Sequence, residues 1–211
     1  KWQHLAPVAP GRATDRLVSF VDFAPTVLSL AGVALPAHFQ GGAFLGPKTG
    51  PAREYVFGGK ERQGEAVDCV RYVRDHRFQY LRNFLPHLPY GQYMSYNWQH
   101  ASMRKWEELH LAGKLSGPPA RFFAARKPVE ELYDVRTDPW QVRNLATDPA
   151  YASELTRLRA ALEAQMRAAG DLGLMPEREL HARSAGSTPY VIATDSRLNP
   201  FEDLRRAADL A

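Results

Sequence analysis

Apolar positions change their spacing several times along the chain, and each change marks an element. From Asp22 to Gly32 the sequence reads Asp-Phe-Ala-Pro-Thr-Val-Leu-Ser-Leu-Ala-Gly, with Phe23, Val27 and Leu30 at helical spacing and Ala24, Leu28 and Ala31 beside them. Asp22 is a suitable N-cap, Pro25 falls in the first turn where a missing N–H costs nothing, and Gly32 supplies a left-handed stop. The predicted helix is apolar over most of its surface, so it needs a large partner to bury it. Residues 33–54 are punctuated by Pro36, Gly41, Gly42, Gly46, Pro47, Gly50 and Pro51, and read as loop.

Alternation then takes over. Residues 55–57 form a short predicted strand running into Gly58 and Gly59, and residues 67–74 and 78–83 alternate as an antiparallel pair turned at Asp75 and His76. Val70 and Tyr72 share one face of that pair, while Cys69, Arg71 and Val73 share the other. Residues 132–135 supply a third strand. An aromatic excursion from 86 to 123 separates them and contains a predicted helix over 102–111, in which Met103, Trp106 and Leu109 recur as packing positions.

The strongest periodicity covers 149–169. Asp148 caps it, Pro149 occupies its first position, Tyr151, Leu155, Leu158, Leu162 and Met166 line one face, and Gly170 ends it. This helix is expected to lie across the small sheet. After Pro200 a last helix begins, with Leu204, Ala207, Ala208 and Ala211 as an apolar stripe whose partner the sequence leaves open. The fold class is therefore α+β: a small antiparallel sheet packed by one long helix.

Composition narrows the function classes. A chain of 211 residues with 45% hydrophobic content can bury a sizeable core. No run approaches the roughly 18 apolar residues of a membrane-spanning helix, and Lys1 to Pro7 lack the apolar core of a signal peptide. Cys69 is the sole cysteine, which excludes an internal disulfide and a cysteine metal cluster. The net charge of +4 is spread along the chain, so no nucleic-acid site is expected; a solvated basic surface and attraction of anionic substrates both remain open. His4, His38, His76, His87, His100, His110 and His181 are scattered without metal-ligand spacing, and no metal site is expected.

Three places carry candidate chemistry. The loop after the first strand sets Lys60 and Arg62 beside Glu65 and Asp68. Such a mixture can grip a sulfate or carboxylate with its cations and sugar hydroxyls with its acids; the competing reading is a solvated turn whose ion pairs are worth about 0–1 kcal/mol each. Tyr90, Tyr93, Tyr96 and Trp98, flanked by His87 and His100, can stack on sugar rings, fill a groove or make an oligomer contact. Glu130, Glu131 and Asp134 are rejected as an acid–base set, because strand alternation puts Glu130 with Leu132 on one face and Glu131 with Tyr133 on the other.

Two blocks carry a family resemblance. The 22–32 helix has the form D-x-x-P-T-x-L-x-L-A-G, and Glu131-Leu132-Tyr133-Asp134-Val135-Arg136-Thr137-Asp138-Pro139-Trp140-Gln141-Val142-Arg143-Asn144-Leu145 follows E-x-Y-D-x-x-x-D-P-x-E-x-x-N-L, with Gln141 in place of the usual Glu. Together they resemble the C-terminal portion of a type I sulfatase of the alkaline-phosphatase-like superfamily, close to bacterial heparan sulfamidases and arylsulfatases.

The resemblance implies that residues 1–57 are the tail end of the large α/β sulfatase domain, 58–175 the C-terminal subdomain, and 176–211 a tail with a terminal helix. It implies a parent enzyme that cleaves sulfate esters or N-sulfates of a carbohydrate or other small sulfated substrate, using formylglycine and Ca²⁺, in a periplasmic or secreted setting. The formylglycine motif, C-x-P-x-R or S-x-P-x-R, is absent: Cys69 is followed by Val70-Arg71-Tyr72-Val73. The fragment is thus expected to hold no catalytic residue, metal or cofactor of its own, to be inactive alone, and to pair with an N-terminal sulfatase domain. Gly58 to Asp68 resembles a G-R-D-R-x-D-E-x-x-D segment that borders the substrate pocket in the family, which makes Lys60, Arg62, Glu65 and Asp68 the expected substrate-binding residues. Two other readings stay open: a non-catalytic carbohydrate-binding or interaction module, and, for the parent, a phosphonate or phosphodiester hydrolase.

Overall fold

The computed structural model describes Gly11 and residues 13–210; the readings made on Lys1 to Pro7, including His4, and on Ala211 lie outside them. The chain divides into two compact units, one formed by the residues up to Phe57 with Arg74–Arg77, the other by Gly58–Val73 with the residues from Phe78 onward.

In the first unit a 3-10 turn, Phe20–Asp22, leads into helix α1, Phe23–Leu30. Gly32 takes the left-handed conformation, φ 72°, as its position at the stop requires. Asp22 departs from expectation: its side chain caps nothing in α1. It is buried and accepts the amides of Ser19 and Gly42 at 2.9 Å each, with the Arg53 guanidinium against it. Burial opposes its ionisation, but the two amides and Arg53 outweigh burial and hold its pKa below the usual carboxylate value.

Asp22, Thr26 and Ser29 lie on one stripe of α1 and are all buried. The 42–48 loop laces onto that stripe, with Phe44 N donating to Thr26 Oγ1 at 3.1 Å and Lys48 N to Ser29 Oγ at 3.0 Å. Several apolar positions are left outside: Phe20 is 86% exposed and Val27 63%. The helix has spent its polar side on its own loop and presents its hydrophobic side.

Most of the second unit's strand structure belongs to a four-stranded antiparallel sheet in sequential order: β1 Val56–Lys60, β2 Val70–Arg74, β3 Phe78–Asn83 and β4 Glu130–Asp134, with Val56, Phe57 and Arg74 counted in the first unit. β1 continues through Gly58 and Gly59 to Lys60, beyond the 55–57 strand expected from the sequence. Packing requires glycine at both positions: a Cβ at Gly58 would meet the Tyr72 ring at 2.5 Å, and one at Gly59 would meet Val70 O at 2.7 Å. In the β3–β4 pair Tyr80 faces Leu132 and Phe78 faces Asp134.

Across this sheet lies α5, Ala152–Ala169, entered through a 3-10 turn, Pro149–Tyr151. Asp148 accepts Ala150 N at 3.0 Å, Gly170 ends the helix at φ 60°, and Leu158, Leu162 and Met166 are buried. The long helix and its core face match the periodicity. The excursion between β3 and β4 forms α2 Ser95–Trp98, α3 Ala101–Leu111 and α4 Pro118–Arg121, and Trp106 stacks on Phe122 with ring centroids 4.3 Å apart.

The block around Asp138 is structural. Asp138 Oδ2 accepts Val142 N and Arg143 N at 2.8 Å each, closing a turn in which Gln141 sits at φ 54°. Asn144 then clamps β4: its Oδ1 accepts Leu132 N at 2.9 Å and its Nδ2 donates to Glu130 O at 3.0 Å.

Three helices complete the unit: α6 Glu177–Arg183, α7 Pro189–Thr194 and α8 Phe201–Leu210. The partner left open for α8 is supplied partly by charge, through Arg82–Asp209 at 2.8 Å, Arg167–Glu202 at 2.5 Å and Arg205–Glu163 at 3.6 Å. Among the described residues no helix is long and apolar enough to cross a membrane.

Candidate functional site

The loop that leaves β1 carries Lys60, Arg62, Glu65 and Asp68, and it is held from three sides. Within the loop, Gln63 and Ala66 exchange backbone hydrogen bonds at 2.8 and 3.1 Å around Gly64, which sits at φ 58°. Glu65 is thereby set at the tip of a tight turn, a conformation that Gly64 adopts without steric cost.

Beneath the loop lies Asp68, buried at the entrance to β2. Its Oδ1 accepts Cys69 N at 2.9 Å and the Lys127 ammonium at 2.5 Å, while Lys60 Nζ approaches Oδ2 at 3.3 Å. One carboxylate thus faces two lysines. Lys127 is buried with it, whereas Lys60 is exposed and keeps donors to spare. Asp68 therefore serves as an anchor for Lys60.

On one flank the loop is tied to Arg71, whose guanidinium makes a two-point contact with Asp171 (Nε–Oδ2 2.6 Å, Nη2–Oδ1 2.8 Å) and also donates to Glu61 Oε1 at 2.5 Å. Burial opposes the charge on Arg71, but Asp171 and Glu61 outweigh it and raise its pKa further. Burial likewise opposes the ionisation of Asp171, which Arg71 and the Gly173 amide nevertheless hold below the usual range. Nearby, Arg62 pairs with Glu177 of α6 at 2.7 Å, both half-exposed. Such a pair is worth about 0–1 kcal/mol, so Arg62 can exchange its partner for an arriving anion at little cost.

The opposite flank is tied to the excursion. Gln92 brackets Val67, accepting its N–H at 3.2 Å and donating to its carbonyl at 2.8 Å, and Ser95 Oγ donates to Glu65 Oε1 at 2.5 Å. Of the four expected site residues, Lys60 and Asp68 are thus in direct contact, while Arg62 and Glu65 reach outward to different flanks.

Cys69 is buried beside this network, its Sγ 3.3 Å from Gly173 O, and burial pushes its thiol up to about 11. A neutral thiol there is packing, not a nucleophile. Glu130 and Glu131 diverge as alternation required: Glu130 binds Arg159 and the Tyr80 hydroxyl, whereas Glu131 accepts from Asn83 at 2.6 Å, Tyr90 at 2.7 Å and Tyr133. Among the described residues no group of three or more His, Cys, Asp or Glu is placed to hold a metal ion. The donor set for a resident divalent cation is thus not found in these residues, and no step through such an ion is assigned to them.

Sequence reasoning missed Asp171, Lys127, Ser95 and Gln92 as supports of the loop. One signal was present: Arg71 falls on the same strand face as Val73, and a charge on an apolar face demands a buried counter-charge.

No family model matches the chain. Among characterised proteins, an ulvan-active sulfatase of Formosa agariphila is 39% identical over 185 residues, covering 87% of this chain and 31% of that protein. The chain fits the C-terminal portion of a sulfatase. A second ulvan-active sulfatase of the same organism is 29% identical over 178 residues, covering 78% of the chain and 32% of that sulfatase. The chain therefore spans about a third of the length of these sulfatases. A solved 2-O GAG sulfatase shares the fold, with a TM-score of 0.51 and 24% identity over 78% of this chain and 29% of its own. The α+β arrangement of small sheet and helices is thus a sulfatase fold element.

Proposed function

We propose that the protein is a carbohydrate sulfatase and that residues 60–68 form part of the rim of its substrate pocket. The observation that carries this reading is the 39% identity to an ulvan-active sulfatase across 87% of the chain. In this proposal Lys60 and Arg62 receive a sulfate or other anionic group of the substrate, Glu65 accepts hydrogen bonds from sugar hydroxyls, and Asp68 holds Lys60 in place. The arrangement around the loop supports it, since side chains fixed from three sides bind without first being ordered.

The chemical step is assigned to the rest of the protein. A formylglycine and Ca²⁺ there would supply the nucleophile and polarise the sulfate, and the residues described here would hold and orient the sugar. The exposed apolar side of α1 supports a further part of the proposal: Phe20, Phe23 and Val27 dock on that catalytic portion. The domain division 1–57, 58–175 and 176–211, and a periplasmic or secreted setting, belong to the same proposal.

The test is sulfate release, followed by ion chromatography, from ulvan, glycosaminoglycans and an aryl sulfate. The intact protein is expected to release sulfate and the 211-residue chain alone to release none. An intact protein that binds these glycans and cleaves none of them is a carbohydrate-binding protein instead.

A further inference from the structure

Beside the loop stands a second set of side chains with a different chemistry. Tyr93 and Tyr96 are 61% and 67% exposed. Both belong to the segment that Gln92 and Ser95 fasten to the loop. Each ring is backed by an aromatic neighbour: Tyr93 leans on Trp98 with centroids 5.1 Å apart, and Tyr96 meets His100 edge-on at 5.5 Å. Trp98 is itself fixed, its Nε1 donating to Glu107 at 2.8 Å. The tyrosines are therefore exposed yet braced. Between them in sequence, Ser95 bonds Glu65, and that bond holds the exposed Glu65 carboxylate below its usual pKa, so it stays an acceptor.

A sugar ring matches this set. It offers a face of C–H bonds and a rim of hydroxyl donors, whereas an aromatic ring offers a negative face and a carboxylate offers acceptors. A purely apolar partner would meet an ionised carboxylate tied through Ser95 to the segment that carries the rings, which it cannot satisfy. A second sulfate would be repelled by the same carboxylate. The ring that fits is a neutral or unsulfated one.

We propose that Tyr93, Tyr96 and Glu65, with Ser95 setting the carboxylate, form a subsite for an unsulfated sugar ring next to the ring whose sulfate Lys60 and Arg62 receive. The subsite deepens the sulfatase reading of the loop and rests on it for the neighbouring sulfated ring. It makes the protein a reader of oligosaccharide or polymer, able to prefer a longer chain over a single sulfated sugar.

Two measurements on the intact protein separate the subsite from the sulfatase reading. In the first, affinity electrophoresis uses gels cast with chemically desulfated ulvan or desulfated glycosaminoglycan. The protein is expected to be retarded in at least one of them, Tyr96→Ala to lose most of that retardation, and Tyr96→Phe to keep it, since stacking needs the ring and not the hydroxyl. In the second, kcat/KM is compared for a sulfated tetrasaccharide and a sulfated monosaccharide. Tyr96→Ala and Tyr93→Ala are expected to lower the tetrasaccharide-to-monosaccharide ratio about tenfold, the scale of one lost aromatic contact, whereas a variant that only disturbed folding would lower both substrates alike. An unchanged ratio together with no retardation overturns the subsite while leaving the sulfatase intact. Retardation abolished by Tyr96→Ala in a protein that releases no sulfate upholds the subsite and removes the sulfatase reading.

Discussion

The Lys127 ammonium lies 2.5 Å from the Asp68 carboxylate, with neither side chain reaching solvent. This buried pair ties the segment before β4 to the start of β2, directly beneath the loop that carries Lys60 and Arg62. Removing Lys127 leaves the buried Asp68 carboxylate with only the exposed Lys60 at 3.3 Å and the Cys69 amide, and breaking a buried pair typically costs about 3–5 kcal/mol. Lys127→Met is therefore expected to lower the unfolding free energy of this unit by that order, and Lys127→Met with Asp68→Leu to recover most of it. Urea unfolding of the three proteins checks this. An unperturbed Lys127→Met single variant contradicts the pairing.

Acid stability follows from carboxylates held below their ordinary pKa. Asp22 and Asp171 are both of this kind, each in spite of burial and each through hydrogen bonds and an arginine. For a depressed carboxylate the stabilisation is fully present above the unfolded pKa, near 3.9, and is lost as pH falls through the folded value. Stability from these two groups is thus expected to be flat from neutral pH down to about pH 5 and to fall steeply below about pH 4. Asp171→Asn should lower stability at neutral pH and flatten part of the acid limb. Thermal melts at stepped pH measure both.

The Cys69 thiol, pushed up to about 11 by burial, is expected to resist alkylation by iodoacetamide at pH 8 in the native protein and to react promptly in urea. Intact mass before and after unfolding reads this directly. Fast native labelling contradicts the burial of Cys69 against the segment around Gly173.

Leu158 and Trp140 make a contrasting pair of substitutions. Leu158 is fully buried between α5 and the sheet, so Leu158→Ala is expected to cost about 2–5 kcal/mol. Trp140 lies in the turn closed by Asp138 but is 86% exposed, and Trp140→Ala is expected to change stability by no more than about 0.5 kcal/mol. Unfolding midpoints of the two variants test the assignment of core and turn.

Much of the fold was legible because its signals are local. The α5 helix announces itself through the Leu158–Leu162–Met166 stripe and Gly170, while Asp148 and Pro149 start the 3-10 turn that leads into it. The β2 and β3 strands follow from alternation. Helices α6 and α7 were not read: both are short, although Thr188-Pro189 carried a start signal, with Thr188 accepting Val191 N at 3.4 Å.

Misreadings and omissions came where distant residues decide. Asp22 looked like a cap because its sequence neighbours are helical, yet Gly42 and Arg53, far along the chain, claim its carboxylate. The loop residues Lys60 and Asp68 were visible as candidates, but the supports Lys127 and Asp171 sit 59 and 100 residues from their partners, and no local pattern encodes such contacts.

The most direct test is sulfate release by the intact protein, compared with its Lys60→Ala/Arg62→Ala variant, on ulvan and glycosaminoglycan oligosaccharides. The account predicts sulfate release, with KM raised at least tenfold in the variant and its melting temperature nearly unchanged, since both side chains are exposed. No sulfate release from any of these substrates, or a variant with unaltered KM, contradicts it.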